Sequence, residues 1–375
     1  MSASSVPDCL IVGGGAIGLS LAYELLEHGA TVEVIDRGPI GREASWAGAG
    51  ILPPANLATA IDPLDRLRAL SHQLHREWAA RLREETGIDT GYRECGGLYL
   101  ARSIGEAAAL HAFAEMLREI KIEIERLSLD EVIELEPALS DIAAIQLKAA
   151  YSLPGESQLC NPDHLRALKL ACERRGAKIR SDGEATGFDF SNGSMTAVRT
   201  DVGVLHADQY CITSGAWTQR LLMGLGITTG IMPIRGQMVM FKCEKPPFRR
   251  VVNEGPRYLV PRDDGRVLVG STEEEVGFDK RTTDEGVSEL VSLARQLVPV
   301  LCDAPIENSW AGLRPGSFDG FPYIGRMPGL DNAYVAAGHY RSGLHMSPGT
   351  AVVLRQLMFG DEPEIDLTPF RVGRG

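Results

Sequence analysis

A glycine-rich turn near the start of the chain constrains the fold more than any other feature of the sequence. Gly13, Gly15 and Gly18 follow the apolar run CLIV and open a segment whose apolar residues recur at helical spacing. A second apolar run, TVEVI, follows Gly29 and ends before Asp36. The pattern predicts a β-strand, a helix and a second, parallel β-strand, which is the opening of an α/β sheet.

The same turn predicts the kind of ligand that this sheet binds. Glycines let backbone N–H groups and the positive end of the following helix approach a pyrophosphate. Asp36 lies at the end of the second strand, where a carboxylate accepts hydrogen bonds from ribose hydroxyls. We therefore predict a bound dinucleotide, and the alternative is a turn that serves only close packing of helix and strand. The glycines do not distinguish NAD from FAD.

Charge and cysteine usage exclude several classes of partner. The chain has 375 residues and a formal net charge of −12, and such a negative field repels nucleic acid and anionic membranes. The seven cysteines include no CxxC pair, which argues against a disulfide framework or a zinc site and favours a reducing cytoplasm. The uncharged run from Cys9 to Tyr23 is too short and too glycine-rich to span a bilayer. We expect a small-molecule partner, no metal, no nucleic acid and no membrane.

Patterns along the rest of the chain indicate two interleaved domains, because the chain is longer than one core usually fills. Helices are predicted to begin at Asp62-Pro63 and Asn161-Pro162, where a capping residue precedes a proline. Asn192-Gly193 predicts a hairpin turn. Further segments predicted from pattern are helices near 105–120, 128–135 and 283–298 and a β-rich region over 231–273.

Several later motifs resemble one known family. They are ASWAGAGIL (44–52), SGAW (214–217), PIRGQ (233–237), RYLVPRDDGRVLVGST (257–272), WAGLRPGSFDGFPYIG (310–325) and GHYRSGLHMSPGTA (338–351). Together with the N-terminal glycine turn, and in the same order over nearly the whole chain, they resemble the glycine oxidases of the thiamine pathway. These enzymes are members of the D-amino-acid oxidase-like, FAD-dependent family.

The resemblance implies an α/β fold in which a Rossmann-like FAD-binding domain is interleaved with a β-rich (α+β) substrate domain. Residues 1–90, 150–225 and 325–375 are expected to form the discontinuous FAD-binding domain, and residues 91–149 and 226–324 the substrate-binding domain. The FAD is expected to be non-covalent, because no covalent-flavin cysteine motif is evident. A homo-oligomer is also implied.

The resemblance further implies an activity, the oxidative deamination of glycine and other small amines such as sarcosine and small D-amino acids. Hydride would pass to flavin N5, and reoxidation by O2 would give hydrogen peroxide, ammonia and glyoxylate, supplying thiamine thiazole biosynthesis. Orientation is the main requirement of hydride transfer. No catalytic base is therefore assigned, and the eight histidines form no motif.

The resemblance gives roles in the substrate pocket to three residues. Arg314 matches a carboxylate-binding arginine, whose planar fork forms two parallel hydrogen bonds, and Tyr258 matches a tyrosine that donates to the same carboxylate. Arg341 matches a second arginine near flavin and substrate. Structural ion pairs or a packed ring are the alternatives. One departure is Glu273, where the family has methionine; it either repels a second substrate carboxylate or lies in a solvated turn.

The expected cofactor-binding residues lie in segments that allow close approach of the backbone to a flat ring or to phosphates. The positive end of the helix that SPGTA opens is expected to face the pyrimidine carbonyl of the flavin. The cofactor-binding residues are Gly13, Gly15, Ala16, Ile17, Gly18, Asp36, Arg37, Ser45, Ala47, Gly48, Ala49, Gly50, Gly215, Trp217, Gly338, His339, Tyr340, Arg341, Ser342, Gly343 and Leu344.

Three other functions stay open at this point. The first is a related family member, such as a sarcosine, D-amino-acid or D-proline oxidase, or a dehydrogenase that passes electrons to a quinone. The second is an NAD-dependent dehydrogenase, and the third is a non-catalytic flavin-binding protein. Peroxide formation from glycine under air separates oxidase from dehydrogenase, and a yellow protein that bleaches anaerobically with glycine excludes the last two.

Overall fold

The structure is a computed structural model that describes residues 6–143 and 147–374. In these residues the strands are β1 (Cys9–Val12), β2 (Val32–Ile35), β3 (Ile51–Leu52), β4 (Arg93–Glu94), β5 (Gly97–Ala101), β6 (Glu125–Arg126), β7 (Ala149–Leu153), β8 (Ser157–Gln158), β9 (Lys178–Arg180), β10 (Ala185–Ser191), β11 (Ser194–Thr200), β12 (Gly203–Leu205), β13 (Gln209–Ile212), β14 (Met232–Lys242), β15 (Val251–Glu254), β16 (Arg257–Pro261), β17 (Arg266–Gly270), β18 (Ile306–Gly316), β19 (Tyr323–Arg326) and β20 (Ala333–Ala337). The α-helices are α1 (Ala16–Glu27), α2 (Ala44–Ala47), α3 (Pro63–Thr86), α4 (Ile104–Glu119), α5 (Leu129–Leu135), α6 (Ser140–Ala143), α7 (Asn161–Arg174), α8 (Thr218–Met223), α9 (Asp284–Leu297) and α10 (Ser347–Phe359).

One large sheet has six strands in the order β19-β20-β13-β1-β2-β9. Strand β1 pairs in parallel with β2 and with β13, and β19 runs antiparallel to β20 at the edge. Both faces of β1 are buried: Cys9 and Ile11 belong to the apolar cluster formed with α1, α3, α7 and α10, whereas Leu10 and Val12 pack toward the small sheet β10-β11-β12. The predicted strand–helix–strand opening is confirmed.

The second large sheet has eight strands in the order β18-β14-β17-β16-β15-β5-β7-β6. One of its faces is covered by α9, with Leu290 and Leu297 packed in the same cluster as Val239 and Phe241. The other face carries a line of residues that lie opposite one another on successive strands, here termed the central row. The central row consists of Trp310, Met238, Gly270, Tyr258, Asn253 and Tyr99.

The predicted helix starts are confirmed, with one correction to a cap. Asp62 accepts a hydrogen bond from the Leu64 N–H, and α3 ends at Gly87 in the left-handed conformation. Helix α7 begins at Asn161, but Cys160 holds the capping position and the Asn161 side chain makes no capping bond. The cap prediction was wrong because this amide binds the backbone of another segment instead. Among the described residues, no helix is both long and apolar enough to cross a bilayer.

Strand pairing bears on the expected domain boundaries without testing the domains themselves. Strand β7 pairs with β5 in the eight-stranded sheet, so the boundary expected between 149 and 150 falls inside a strand. The sequence marks the later helix start at Asn161 but carries no turn signal at 150. Strand β19 begins just before the boundary expected at 325. The division into domains stays a prediction, and residues 1–5, 144–146 and 375 of its ranges lie outside the described residues.

We predict that Gly18→Ala destabilises the start of α1. A Cβ at this position would overlap the Gly13 carbonyl oxygen and lie 2.7 Å from Thr213 Oγ1, so helix and turn would have to separate. Overpacking of this kind costs about 1–3 kcal/mol, measured here as a lower Tm in thermal unfolding. Gly105→Ala in α4 is the matched control, since its added Cβ meets nothing within 4 Å. Equal Tm values for the two variants would contradict the prediction.

Candidate functional site

A cavity of about 600 Å³ is lined by residues of both large sheets. It extends from the carboxyl ends of β1, β2 and β13 to the central row of the eight-stranded sheet. Open α/β sheets bind their ligands at the carboxyl ends of parallel strands. The volume also lies within the range of small-molecule and cofactor sites. This cavity is therefore the candidate site.

The glycine turn presents the N-terminal end of α1 to the cavity. Gly13 has a φ of +119°, which L side chains rarely adopt, and an added Cβ would also meet the Thr213 carbonyl. Gly15 holds the capping position of α1 and has no side chain with which to cap it. Ser45 Oγ accepts the Ala16 N–H at 2.8 Å instead. The positive end of the helix dipole thus faces the cavity, as anion binding requires.

Asp36 lines the cavity, and its carboxylate can accept more hydrogen bonds than the protein supplies. One carboxylate oxygen accepts the Gly14 N–H at 2.8 Å and the other accepts the Gly38 N–H at 3.2 Å. Burial raises the pKa of Asp36, and the two backbone hydrogen bonds oppose that rise. A carboxylate has about four acceptor sites, so lone pairs remain for ligand hydroxyls.

A stack of cations and rings closes the cavity beside Asp36. The Arg37 guanidinium lies 3.7 Å from the centre of the Trp217 ring, and the Trp217 ring lies 5.4 Å from that of Phe278. Arg37 also pairs with Glu43 at 2.9 Å, and Glu43 pairs with Lys280 at 2.7 Å. The stack joins three segments, because Arg37 follows β2, Trp217 follows β13 and Phe278 follows β17.

Residues 44–50, here termed the anchored segment, form one wall of the cavity. Three side chains from other elements each donate to one of its alternate carbonyl groups. The three hydrogen bonds are Asn161 Nδ2 to Ser45 O (2.7 Å), Trp310 Nε1 to Ala47 O (3.0 Å) and Arg262 Nη2 to Ala49 O (2.8 Å). Gly312 of β18 permits this approach, because an added Cβ there would lie 2.5 Å from Ala47 Cβ. The anchored segment is held against both large sheets.

Arg314 brings an uncompensated positive charge into the cavity. Its guanidinium donates to Ser271 Oγ at 2.5 Å and to the Thr272 carbonyl at 3.2 Å, and both partners are neutral. Among the described residues, no carboxylate lies within ion-pairing distance of this group. Gly236 on β14 makes room for it, since an added Cβ would overlap the guanidinium. The side chain of this half-buried arginine is held in place by neutral groups, so its positive charge is available to a ligand.

Tyr258 and Arg341 line the same cavity. The Tyr258 hydroxyl has only a weak contact, 3.5 Å from Met238 Sδ, and remains available to donate elsewhere. Arg341 donates to the Pro256 carbonyl at 2.9 Å and lies 3.4 Å from Glu273 Oε2. The three residues expected in the substrate pocket are therefore brought together.

Glu273 lies behind Arg341 and is not part of the cavity lining. Its side chain is 52% exposed. Burial and a hydrogen bond to Glu273 raise the pKa of Tyr340, a lining residue, to about 12. Glu273 therefore lies outside the lining and contacts two of the lining residues, Arg341 and Tyr340.

All but two of the residues expected to bind the cofactor line the cavity. Gly18 is the first exception, because it packs against the Gly13 carbonyl inside the fold. Gly338 is the second; its φ of +84° shows that the turn itself needs glycine. His339 lines the cavity and bonds to Thr350 Oγ1 at 3.1 Å, and burial lowers its pKa to about 3. It is a neutral, packed histidine.

A buried carboxylate in the cavity wall was not predicted from the sequence. Glu156 is fully buried, and it accepts hydrogen bonds from the Tyr99 hydroxyl at 2.6 Å and from Asn253 Nδ2 at 3.0 Å. Burial raises its pKa to about 7, although both hydrogen bonds oppose the rise. The sequence feature that could have indicated Glu156 is that it is the single charged residue in the stretch YSLPGESQLCNP. Asn161 was missed because its side chain was taken for a cap.

The lining residues fit the FAD that the sequence resemblance implies. The open end of α1 suits a pyrophosphate and Asp36 suits ribose hydroxyls. Asn161 Oδ1 is a buried acceptor with no partner in the protein, and it lies beside the glycines of the anchored segment. A ligand with a hydrogen-bond donor would satisfy it, as buried polar atoms require.

Three comparisons with known proteins agree with this fit. The model of the family DAO, FAD dependent oxidoreductase, matches residues 8–357. The glycine oxidase of Pseudomonas putida is 36% identical over 362 residues, which are 96% of this chain and 97% of that protein. The bifunctional protein ThiO/ThiG of Synechocystis is 32% identical over 94% of this chain and 51% of its own length. The crystal structure of glycine oxidase from Geobacillus kaustophilus has a TM-score of 0.93 and 34% identity, covering 98% of this chain and 99% of that one.

We predict that Asn161→Ala weakens retention of the bound flavin about tenfold. The change leaves the Ser45 carbonyl without its donor, and an unpaired buried group costs about 1–3 kcal/mol. Flavin content after dialysis, read from the visible absorbance, is the measurement. Asn308→Ala, at an exposed position of β18, is the control. Equal flavin retention in both variants would show that Asn161 does not hold this wall.

Proposed function

The chain belongs to the DAO family of FAD dependent oxidoreductases, and on this premise we propose that it oxidatively deaminates glycine and other small amines, sarcosine and small D-amino acids included. The products are the 2-oxo acid, which is glyoxylate from glycine, together with ammonia and hydrogen peroxide. The observation that carries the proposal is Arg314, a guanidinium with only neutral partners in the cavity that the glycine turn also lines.

Arg314 acts in this proposal as the carboxylate anchor of the substrate. A bidentate pair between guanidinium and carboxylate is strong and fixes the orientation of the ligand. Tyr258 adds a second donor to the same carboxylate, since its hydroxyl is engaged only weakly by Met238. The small residues Gly236 and Gly312 keep this part of the cavity open to a compact substrate.

FAD is the cofactor, and when bound it supplies the acceptor for the hydride of the substrate α-carbon and passes the electrons to O2. The first turn of α1, Asp36 and the anchored segment are the parts of the chain that would hold it. The substrate residues fix the α-carbon for hydride loss, which is chiefly a matter of orientation. The six-stranded part would then bind FAD and the eight-stranded part would bind the substrate.

The wider setting is part of the same proposal. Similarity to the protein named ThiO/ThiG supports the prediction that the product supplies thiamine thiazole biosynthesis. We further propose O2 as the physiological acceptor, a homo-oligomeric assembly and a cytoplasmic location. The seven cysteines are all free, which supports a reducing compartment.

We predict that Arg314→Ala raises the KM for glycine about 30-fold or more while FAD stays bound. Truncating one member of a buried, charge-assisted pair costs about 2–5 kcal/mol. The measurements are peroxide release at varied glycine concentration and the flavin absorbance of the purified variant. Arg266→Ala is the control, because that arginine lies on β17 outside the cavity lining and pairs with Asp264. An unchanged KM for glycine in Arg314→Ala would contradict the carboxylate role.

We predict that Glu273→Met shifts the substrate preference toward amines with a second carboxylate. The pair between Arg341 and Glu273 is partly exposed, so its loss frees a cation at a cost below about 1 kcal/mol. The kcat/KM for iminodiacetate relative to glycine should rise about threefold to fivefold, measured by peroxide release. Glu275→Met, two residues along the same exposed turn, is the control. The same ratio in both variants would exclude a role for Glu273 in specificity.

A further inference from the structure

Glu156 and Tyr99 form a hydrogen-bonded pair in the cavity wall, and the proposed function assigns no role to either residue. The Tyr99 hydroxyl donates to one carboxylate oxygen at 2.6 Å, and Asn253 donates to the other at 3.0 Å. Gly97 makes room for the carboxylate, because an added Cβ would overlap it. All three polar residues border the cavity; Glu156 itself is fully buried, whereas Tyr99 and Asn253 are only partly buried.

The surroundings of Glu156 leave its charge without a counter-ion. Arg262, a buried arginine that directly follows β16, donates to Gln158 Oε1 and to the Ala49 carbonyl. Among the described residues, no lysine or arginine pairs with Glu156. A buried carboxylate held only by neutral donors is costly to ionise. In a cleft, such a group is a candidate for receiving a proton or a cation.

The central row places this unit at the substrate end of the cavity. Asn253 lies directly opposite Tyr258 on one neighbouring strand and opposite Tyr99 on the other. Two strand spacings, roughly 10 Å, therefore separate the backbones of Tyr258 and Tyr99. On the side of Tyr258 away from Asn253, the residue directly opposite it is Gly270. The next residue, Ser271, accepts a hydrogen bond from the Arg314 guanidinium. The guanidinium and the carboxylate thus lie on opposite sides of Tyr258.

Resting on the proposed function, we propose that Tyr99 and Glu156 together accept the proton of the substrate ammonium group. The N–H bond of the ammonium breaks and its proton passes to Tyr99 Oη, while the proton of Tyr99 passes to Glu156 Oε2. The amine is left neutral with a free lone pair, Tyr99 is again a phenol and Glu156 is a carboxylic acid. The lone pair would then form the C=N bond as the α-carbon gives up its hydride, for which FAD is the acceptor in the proposed function. Glu156 afterwards returns its proton through Tyr99, which is only partly buried and borders the cavity.

The titration behaviour of the unit suits this step. In the part of the chain that the structure describes, Tyr99 on β5 and Cys95 just before that strand are the titratable side chains that interact with Glu156, and Asn253 faces it from β15. Burial raises the pKa of Glu156 to about 7, and burial and the negative charge of Glu156 hold the pKa of Tyr99 well above its ordinary value. Tyr99 therefore stays protonated and gives up its proton only as it gains another. Glu156 must be ionised to accept, so activity should rise with pH through about 7.

The pH dependence of kcat/KM for glycine in the FAD-loaded enzyme tests the proposal. In the unmodified protein the value should rise up to about pH 7 and then level off. In Glu156→Gln and in Tyr99→Phe it should be about 100-fold lower at pH 7, the typical contribution of a proton acceptor. In both variants it should continue to rise tenfold per pH unit toward the higher pKa of the free substrate amine. Raising the pH would thereby replace the lost acceptor.

Acetate provides a readout that does not depend on proton transfer. It has the substrate carboxylate but no amine, so its inhibition constant should stay within about twofold in both variants. Glu136→Gln, which removes a buried carboxylate outside the cavity lining, should keep the profile of the unmodified protein. If Glu156→Gln does not fold, Tyr99→Phe alone decides, because it keeps the carboxylate and removes only the hydroxyl. An unchanged pH profile of kcat/KM in Tyr99→Phe overturns the proposal. An inhibition constant for acetate that rises by the same factor by which kcat/KM for glycine falls overturns it as well.

The same experiment separates this inference from the proposed function. If the unmodified protein releases no peroxide with glycine, sarcosine, D-alanine or D-proline, the proposed function itself fails. If it releases peroxide but the variants show the unmodified pH profile, only the role of Tyr99 and Glu156 fails.

Discussion

The architecture of the site depends on how the backbone of residues 44–50 is fixed. Its alternate carbonyl groups are bound by an amide from α7, an indole from β18 and a guanidinium from the turn after β16. Each donor comes from a different part of the chain, and two of them come from the eight-stranded side. Because a peptide carbonyl buried without a donor is costly, the three bonds hold the two large sheets in one relative position. The shape of the cavity between the sheets follows from that position.

The sequence was sufficient for those parts of the fold that depend on local rules. The glycine turn, the helix starts at proline and the Asn192-Gly193 hairpin are set by backbone conformation and hydrogen bonding within a few residues. The residues that the family resemblance marked in the cofactor segments also line one cavity, apart from Gly18 and Gly338. These two show that a glycine in a binding motif can be required for packing or for its own φ without lining the cavity.

The parts that sequence could not supply depend on long-range pairing. Asn161 has the local signature of a cap, but a carbonyl more than a hundred residues away takes its amide. Glu156 lies in a short apolar stretch, and its partners come from strands far away in both directions. Arg314 and Glu156 each have only neutral partners, and ionisable groups held in this way in a cleft are candidates for a role toward a ligand. Burial of that kind is visible only in three dimensions.

The position of β1 inside the six-stranded sheet also determines how late in synthesis that sheet can be completed. β1 is synthesised before the other strands of this sheet, yet the sheet is completed by β20 and covered by α10, which come last among its strands and helices in chain order. At about 5–20 residues per second, β20 is synthesised between roughly 15 and 65 s after β1. During that interval β1 can pair with β2 and, once it has been made, with β13, but β13 still lacks β20 and α1 still lacks α10. The sheet that carries the glycine turn is therefore complete only after α10 has been made, and the apolar surfaces that β20 and α10 cover need protection from aggregation until then.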